Sequence, residues 1–461
     1  MRLVMKFGGS SVKNGKQIKE TAKIVKKYRG DETAVVVSAM QGVTDSLVEI
    51  ANEVVNGLDE EGIGKFIEVL KKAHVNAAKE AVSGHLLKAV TANIDRLISE
   101  LRKVLVGVSY VGELTPRSSD YLSSFGERLS APIVSGALES LGIKSRWLDG
   151  FEAGIVTDSN FGNAVPLWPD SNKKIGQVLS PLIKSGIPVI AGFIAGDKKG
   201  RVTTLGRGGS DFSASIIGSA LDADEIWIWT DVDGIMSSDP RYVSNAKIID
   251  VISYAEAQEL AFFGAKVLHP KTIEPAMEKG IPVRVRNTFN PKNDGTLIVK
   301  EQKRVDDVAK AISVRDDVAL LTVSGVGMIG IPGIAARLFG VLADEKVNIL
   351  MISQGSSEVS ISLIIEKGDL KRAFSALKKA FPGNDIVKEI KHNEKVSIIA
   401  VVGAGMRGTR GVAGRTFSSV AKSGANILMI AQGSSEVNIS FVVLQKEAKK
   451  AANALHGEFI S

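Results

Sequence analysis

The sequence predicts an α/β protein: a buried, largely parallel sheet with helices on both faces, followed by two ferredoxin-like βαββαβ units. Three observations predict it. Short apolar runs recur through the first two thirds of the chain, with helical patterns between them. A glycine pair follows the first run and opens a helix. Val318–Ile365 recurs as Val396–Val443 at a constant offset of 78 residues, without a gap.

The strand-like runs are Leu3–Met5, Ala34–Ser38, Ser145–Leu148, Ile187–Ile190 and Glu225–Trp229, with Val283–Val285 as a later one. Most are largely apolar, which suits strands covered on both faces. From about Asp45 to Leu141 the pattern is mostly helical, and Ile67–Val82 and Leu86–Val104 carry apolar residues at helix spacing. So long an insertion is not needed to complete the sheet, and we expect it to face the substrate. A charged stretch near Lys300–Val308 suits a domain boundary. The expected division is 1–300 (with 45–141 as the helical insertion), a linker over 301–317, a first repeat unit over 318–391 and most of a second over 392–461.

The 461 residues are 44% hydrophobic and 24% charged, as in ordinary globular chains. The net charge of +7 is spread along amphipathic helices, and aromatics are only 5%. A nucleic-acid protein would concentrate its basic residues among aromatics, so no nucleic-acid partner is expected. The chain has no cysteine, hence no disulfide, thiolate metal site or cysteine nucleophile. No apolar run approaches the roughly 20 residues of a membrane span, and the first strand leaves no room for a signal peptide. A cytoplasmic location is expected, with no membrane partner.

Lys6-Phe7-Gly8-Gly9-Ser10-Ser11 joins the first apolar run to a helical pattern over Lys16–Tyr28. Glycines let a backbone approach phosphate, and helix-start N–H groups point at the anion. A plain strand-to-helix turn would look similar. A second glycine loop, Gly206-Arg207-Gly208-Gly209-Ser210-Asp211, opens the helical stretch Phe212–Leu221. An apolar strand ending in acids and glycine, Ile226–Ile235, and then Phe263–Pro270 follow it. No Gly-x-x-x-x-Gly-Lys-Ser/Thr loop occurs.

These four elements, in this order, resemble the aspartate kinases of the amino-acid kinase family, and the resemblance runs the length of the chain. It implies the three-layer fold of that family and transfer of a phosphoryl group from ATP, with Mg²⁺, to the side-chain carboxylate of L-aspartate. A carboxylate is already ionised near neutral pH and needs no general base, only positioning and charge neutralisation. Lys6 and Asp211 are the implied catalytic pair. Asp211 would orient Lys6, or serve as an N-cap carboxylate for the helix that follows it. Phosphates would meet Lys6, Phe7 and the N–H groups of Gly8, Gly9 and Ser10, with Gly208 and Gly209 opposite. The remaining nucleotide contacts carry over to Thr230, Asp231, Met236, Arg241, Lys266 and Val267. Met236 stands where many members have tyrosine, so stacking on adenine gives way to a flexible thioether. No dedicated protein metal site is assigned. Aspartate contacts fall on Thr44, Glu127, Phe193, Arg207 and Ser210. Arg207 suits the α-carboxylate as a bidentate partner, and Glu127 suits the α-ammonium unless it pairs along its own helix instead. A non-catalytic amino-acid sensor on the same fold is the alternative function. The chain's end at Ser461 is read as leaving no fused homoserine dehydrogenase.

The repeat resembles the paired ACT domains of these kinases, in which the second module takes its first strand from before the first module. Ala311-Ile312-Ser313-Val314 is well placed to be that strand. Gly325-Val-Gly327-Met-Ile-Gly330 and Gly403-Ala-Gly405-Met-Arg-Gly408 match GxGxxG, but no acid ends the next strand, so dinucleotide binding is set aside. Helix-start N–H groups after Met328 and Met406, near Gly330 and Gly408, would instead take an effector's carboxylate. Gln354 and Gln432 each offer a donor and an acceptor for a small hydroxyl side chain. The resemblance favours L-threonine as inhibitor. L-lysine is the alternative, with Glu358 or Glu436 facing its ammonium. At least a homodimer, joined through residues beyond about Val308, is expected.

Overall fold

The computed structural model describes residues 1–264, 270–301, 308–355, 359–382 and 386–460. Of these, residues 1–235, 250–254 and 270–301 pack as one compact unit, and 236–249, 255–264 and 308–460 as another. No described helix is long and apolar enough to cross a membrane.

The first unit is built on an eight-stranded sheet. Its order is Ser145–Asp149, Ile187–Ala191, Glu32–Val37, Arg2–Phe7, Glu225–Thr230, Val283–Asn287, Thr296–Val299 and Val251–Ser253. Every pairing is parallel except that of Val283–Asn287 with Thr296–Val299. All six predicted strands are present, each extended by a residue or more beyond its apolar centre or trimmed at one end. The extension matters at the first strand, because Lys6 and Phe7 lie inside it. The central strands are buried along almost their whole length, as continuous apolar runs require.

The helical insertion consists of Val43–Val55, Glu60–Ala81, Leu86–Val111, Pro116–Ser123 and Phe125–Ser140. The two longest pack on each other and on the helices Gly15–Tyr28 and Phe125–Ser140, burying Ile63, Ile94, Leu97 and Leu101 in the main core. They thicken one helical layer, and none of residues 46–126 reaches the cleft described below. The expected insertion does supply Asp45 and Glu127 to that cleft's lining, from its first helix and its last. Amphipathic spacing told which face is buried, but not against what.

In the second unit the repeat forms one antiparallel six-stranded sheet: Ile349–Gln354, Ser360–Glu366, Ala311–Ser324, Glu389–Val402, Asn438–Leu444 and Ile427–Ala431. Helices Ile334–Asp344 and Leu370–Ala380 serve one copy, and Val412–Lys422 and Gln445–Phe459 the other. The Ala311–Val314 segment does pair with the second copy, Ala311 opposite Val402 and Val314 opposite Ile399. It is not a separate strand after a linker. It runs on past an irregularity between Arg315 and Val318, and its far half, Val318–Ser324, pairs with Ser360–Glu366 of the first copy. One strand thus belongs to both modules.

Candidate active site

Four neighbouring strands of the first unit end side by side, and their ends are stitched together by backbone bonds. The Ser38 N–H donates to Phe7 O (3.0 Å), Gly192 N–H to Val37 O (2.9 Å) and Gly8 N–H to Trp229 O (3.1 Å). Above these carboxyl ends, the usual ligand side of an open α/β sheet, lies a cleft of about 420 Å³.

Lys6 is at the cleft's floor, only 8% exposed. Its Nζ is 2.5 Å from Asp211 Oδ1, and both side chains are largely buried. Asp211 sits in the first turn of the helix Gly209–Ala220, whose N-cap is Gly208 rather than an acid. The N-cap alternative for Asp211 is therefore replaced by the ion pair. Gly206 and Gly208 both hold positive φ, +75° and +73°, which explains two of the loop's glycines. Gly9 is required for closeness instead: a Cβ there would stand 3.1 Å from Ala39 O. Gly8 departs from expectation, since its amide is committed to Trp229 O and only those of Gly9 and Ser10 are left as phosphate donors.

Glu127, in the helix Phe125–Ser140, is buried, and its Oε2 has no hydrogen-bond partner within the chain. Burial pushes its carboxyl up to about 8, against the opposing pull of the Ala39 and Glu127 amides and the Lys6 ammonium. A pairing along its own helix is thus ruled out, and the unpaired oxygen is left for a cation. Arg207, Ser210 and Thr44 line the same cleft, Thr44 from the start of the helix Val43–Val55. Phe193 completes the wall at φ +65°, a strained conformation for an aromatic residue. Its ring lies where a Cβ on Gly209 would come within 2.6 Å of it. The lining also includes Ser38, Ala39, Met40, Gln41, Gly42 and Asp45, which sequence reasoning did not single out beyond Thr44. Their signal was present: an apolar run ending at Ser38, then a glycine opening a helix.

Phe7, Gly8, Ser10, Thr230 and Asp231 lie at the same strand ends but outside the cleft's lining. Met236 and Arg241 belong to the second unit, where Met236 bridges to Ile248 and the Arg241 guanidinium pairs with Asp239 at 2.5 Å. Lys266, Val267 and Glu358 lie outside the described residues. Among the described residues, no three His, Asp or Glu side chains group as a metal cluster.

The expected effector residues divide. Met328 and Met406 are core residues of their modules, in short 3₁₀ turns, and the helices begin only at Ile334 and Val412. Gln354 and Gln432 are exposed, at or just past the ends of the two edge strands. Gly330 and Gly408 hold positive φ, and the Gly408 amide donates to Glu436 Oε2 at 2.7 Å.

Residues 1–287 match the amino acid kinase family, and residues 321–381 and 399–459 each match the ACT domain. The chain is 34% identical to aspartokinase 1, chloroplastic, of Arabidopsis thaliana, over 99% of this chain and 80% of that protein. The chain belongs to the aspartokinases of the amino acid kinase family. It is also 37% identical to bifunctional aspartokinase/homoserine dehydrogenase 1, chloroplastic, of Zea mays, over 99% of this chain and 50% of that one. The chain therefore spans about half the length of such bifunctional relatives. Solved structures agree in fold. Escherichia coli aspartokinase III in complex with aspartate and ADP superposes with a TM-score of 0.83 at 30% identity, over all of both chains. The same enzyme in complex with lysine and aspartate gives 0.84.

Proposed function

We propose that the chain transfers the γ-phosphoryl group of ATP to the side-chain carboxylate of L-aspartate, giving 4-phospho-L-aspartate and ADP. The observation that carries this reading is the buried Lys6–Asp211 pair, 2.5 Å apart at the floor of a cleft also lined by Glu127 and Arg207. The bound aspartate and ADP of the E. coli neighbour support it. In this reading Arg207 holds the α-carboxylate, Glu127 the α-ammonium, and Thr44 and Ser210 lend hydroxyls, which leaves the β-carboxylate facing the phosphate side. A carboxylate oxygen attacks phosphorus while the bond to the ADP oxygen breaks. Lys6, steered by Asp211, offsets the charge that spreads over the transferring oxygens. The Gly9 and Ser10 amides receive phosphate. Phe7, Gly208, Gly209, Thr230 and Asp231 frame the nucleotide, and Met236, Arg241, Lys266 and Val267 remain its assigned contacts. Mg²⁺ would enter with ATP, held chiefly by phosphate oxygens and water, and would offset their charge.

The repeat modules are read as an amino-acid-responsive brake, with L-threonine the favoured inhibitor and L-lysine the alternative, acting through Gln354 and Gln432. The lysine complex of the E. coli neighbour supports an amino acid in this role and keeps lysine open. At least a homodimer is part of the reading, checked by light scattering at micromolar concentration. A cytoplasmic setting goes with it, although the named plant relatives are chloroplastic. The deciding experiment mixes the purified chain with L-aspartate and Mg-ATP and traps the acyl phosphate as its hydroxamate. Hydroxamate formed with aspartate and ATP together, and with neither alone, is expected; none at all leaves the sensor alternative.

A further inference from the structure

Asp120 is a buried carboxylate that the proposed chemistry does not use. It lies on the short helix Pro116–Ser123 and is 3% exposed. Its Oδ2 accepts from the amides of Gly162 (3.0 Å) and Thr204 (2.9 Å), and its Oδ1 from the Thr204 hydroxyl (2.8 Å). Three segments are fastened at this one side chain. The first passes through Ser124, whose amide donates to Asp120 O, into the helix that carries Glu127. The second ends the strand Val202–Thr204 and continues through Leu205, bonded to Phe193 O, into the loop that carries Arg207. The third, residues 158–165, returns the grip: Ala164 N–H donates to Thr204 O at 2.9 Å. Gly206 is so close to this segment that a Cβ would stand 2.8 Å from Asn163 Oδ1.

We infer that Asp120 is a positioning residue that sets the gap between Glu127 and Arg207, and through it the cleft's preference for an α-amino acid over a plain dicarboxylate. The inference rests on the reading above, in which these two residues hold the α-ammonium and the α-carboxylate. Only a ligand that touches both ends senses the gap between them. A carboxylate that joins two backbone amides and a hydroxyl on different segments fixes that gap without touching substrate, and small misplacements of binding groups cost rate steeply.

The test compares the full chain with its Asp120→Ala, Asp120→Asn and Thr204→Val variants, measuring kcat, both KM values and the inhibition constant of succinate, which lacks the ammonium. Asp120→Ala is expected to raise the aspartate KM by about tenfold or more while the ATP KM changes less than about twofold, the split of lost substrate positioning. The preference for aspartate over succinate should shrink by a similar factor. Asp120→Asn should restore most of it, because an amide oxygen still accepts both backbone amides and the amide nitrogen can donate to the Thr204 hydroxyl. Thr204→Val removes one bond of the three and should shift the same quantities in the same direction by less, so the proposal stays testable if Asp120→Ala does not fold. Equal losses in all constants, or an unchanged preference, overturn it and leave Asp120 a stabilising residue only. Glu127→Gln and Arg207→Ala separate the two readings. If both leave the aspartate KM unchanged, the site reading fails and the inference with it; if they raise it while the Asp120 and Thr204 variants leave the preference intact, only the inference fails.

Discussion

The cleft and the repeat modules treat their polar residues in opposite ways. In the cleft, Lys6, Asp211 and Glu127 are taken out of water and two of them answer each other. In the modules, Gln354 and Gln432 stand exposed beside edge strands, while the methionines named with them are core. The difference fits the two tasks proposed for them. Stabilising charge on a transferring group rewards donors fixed in advance in a place of low dielectric. Biasing an equilibrium asks only for a difference in affinity between two states, which a few exposed hydrogen bonds can supply.

The comparison predicts unequal sensitivities. The largest effect is expected at the floor of the cleft: Lys6→Ala should cut kcat by about a hundredfold or more, with a smaller change in aspartate affinity. Steady-state kinetics within a few-fold of wild type would show that the buried pair is structural. Arg207→Ala comes next, raising the aspartate KM by about ten- to a hundredfold with kcat less affected, because it removes a charge-assisted bidentate contact.

The third effect is on pH. With its carboxyl pushed up to about 8 by burial, Glu127 is protonated in the empty cleft below that pH and ionised above it. An α-ammonium favours the ionised form, so binding aspartate below about pH 8 must expel a proton. The aspartate KM should therefore fall as pH rises, by up to about tenfold per unit, and level off above the Glu127 value. Glu127→Gln should remove that slope; a slope that survives assigns the titration elsewhere. The smallest effects belong to the modules. Gln354→Ala and Gln432→Ala should raise the threonine concentration needed for inhibition by a few-fold, since each removes about one neutral hydrogen bond. Uninhibited kcat should hardly move. Lysine shifting the melting temperature at millimolar levels while threonine does not would transfer the site to lysine.

Much of this was legible in the sequence because it is local. Continuous apolar runs named the buried strands, the glycine turns named the two loops around Lys6 and Asp211, and a gapless repeat named the modules. What stayed hidden depends on partners far along the chain. Gly8 looked like a phosphate donor until its amide met Trp229 O, a residue more than two hundred positions away. Asp120 was not singled out at all, because Gly162 and Thr204, which bind it, are remote in sequence. The Ala311–Val314 strand was visible, but not its continuation into Val318–Ser324, since no sequence signal says that one strand can serve two modules.

That shared strand ties the folding of one module to the other. Half of Ala311–Ser324 finds its neighbour, Val396–Val402, only after the whole first module has been made. Until then Ala311–Arg315 is an open edge, able to pair with any extended segment that reaches it. Synthesis order and folding order therefore disagree here: Ala311–Arg315 is made before the first module, but its neighbour Ile398–Val402 is made after it. An insertion or deletion at Asp316–Asp317, where the pairing is irregular, would therefore be a single inherited change felt by both copies of the repeat.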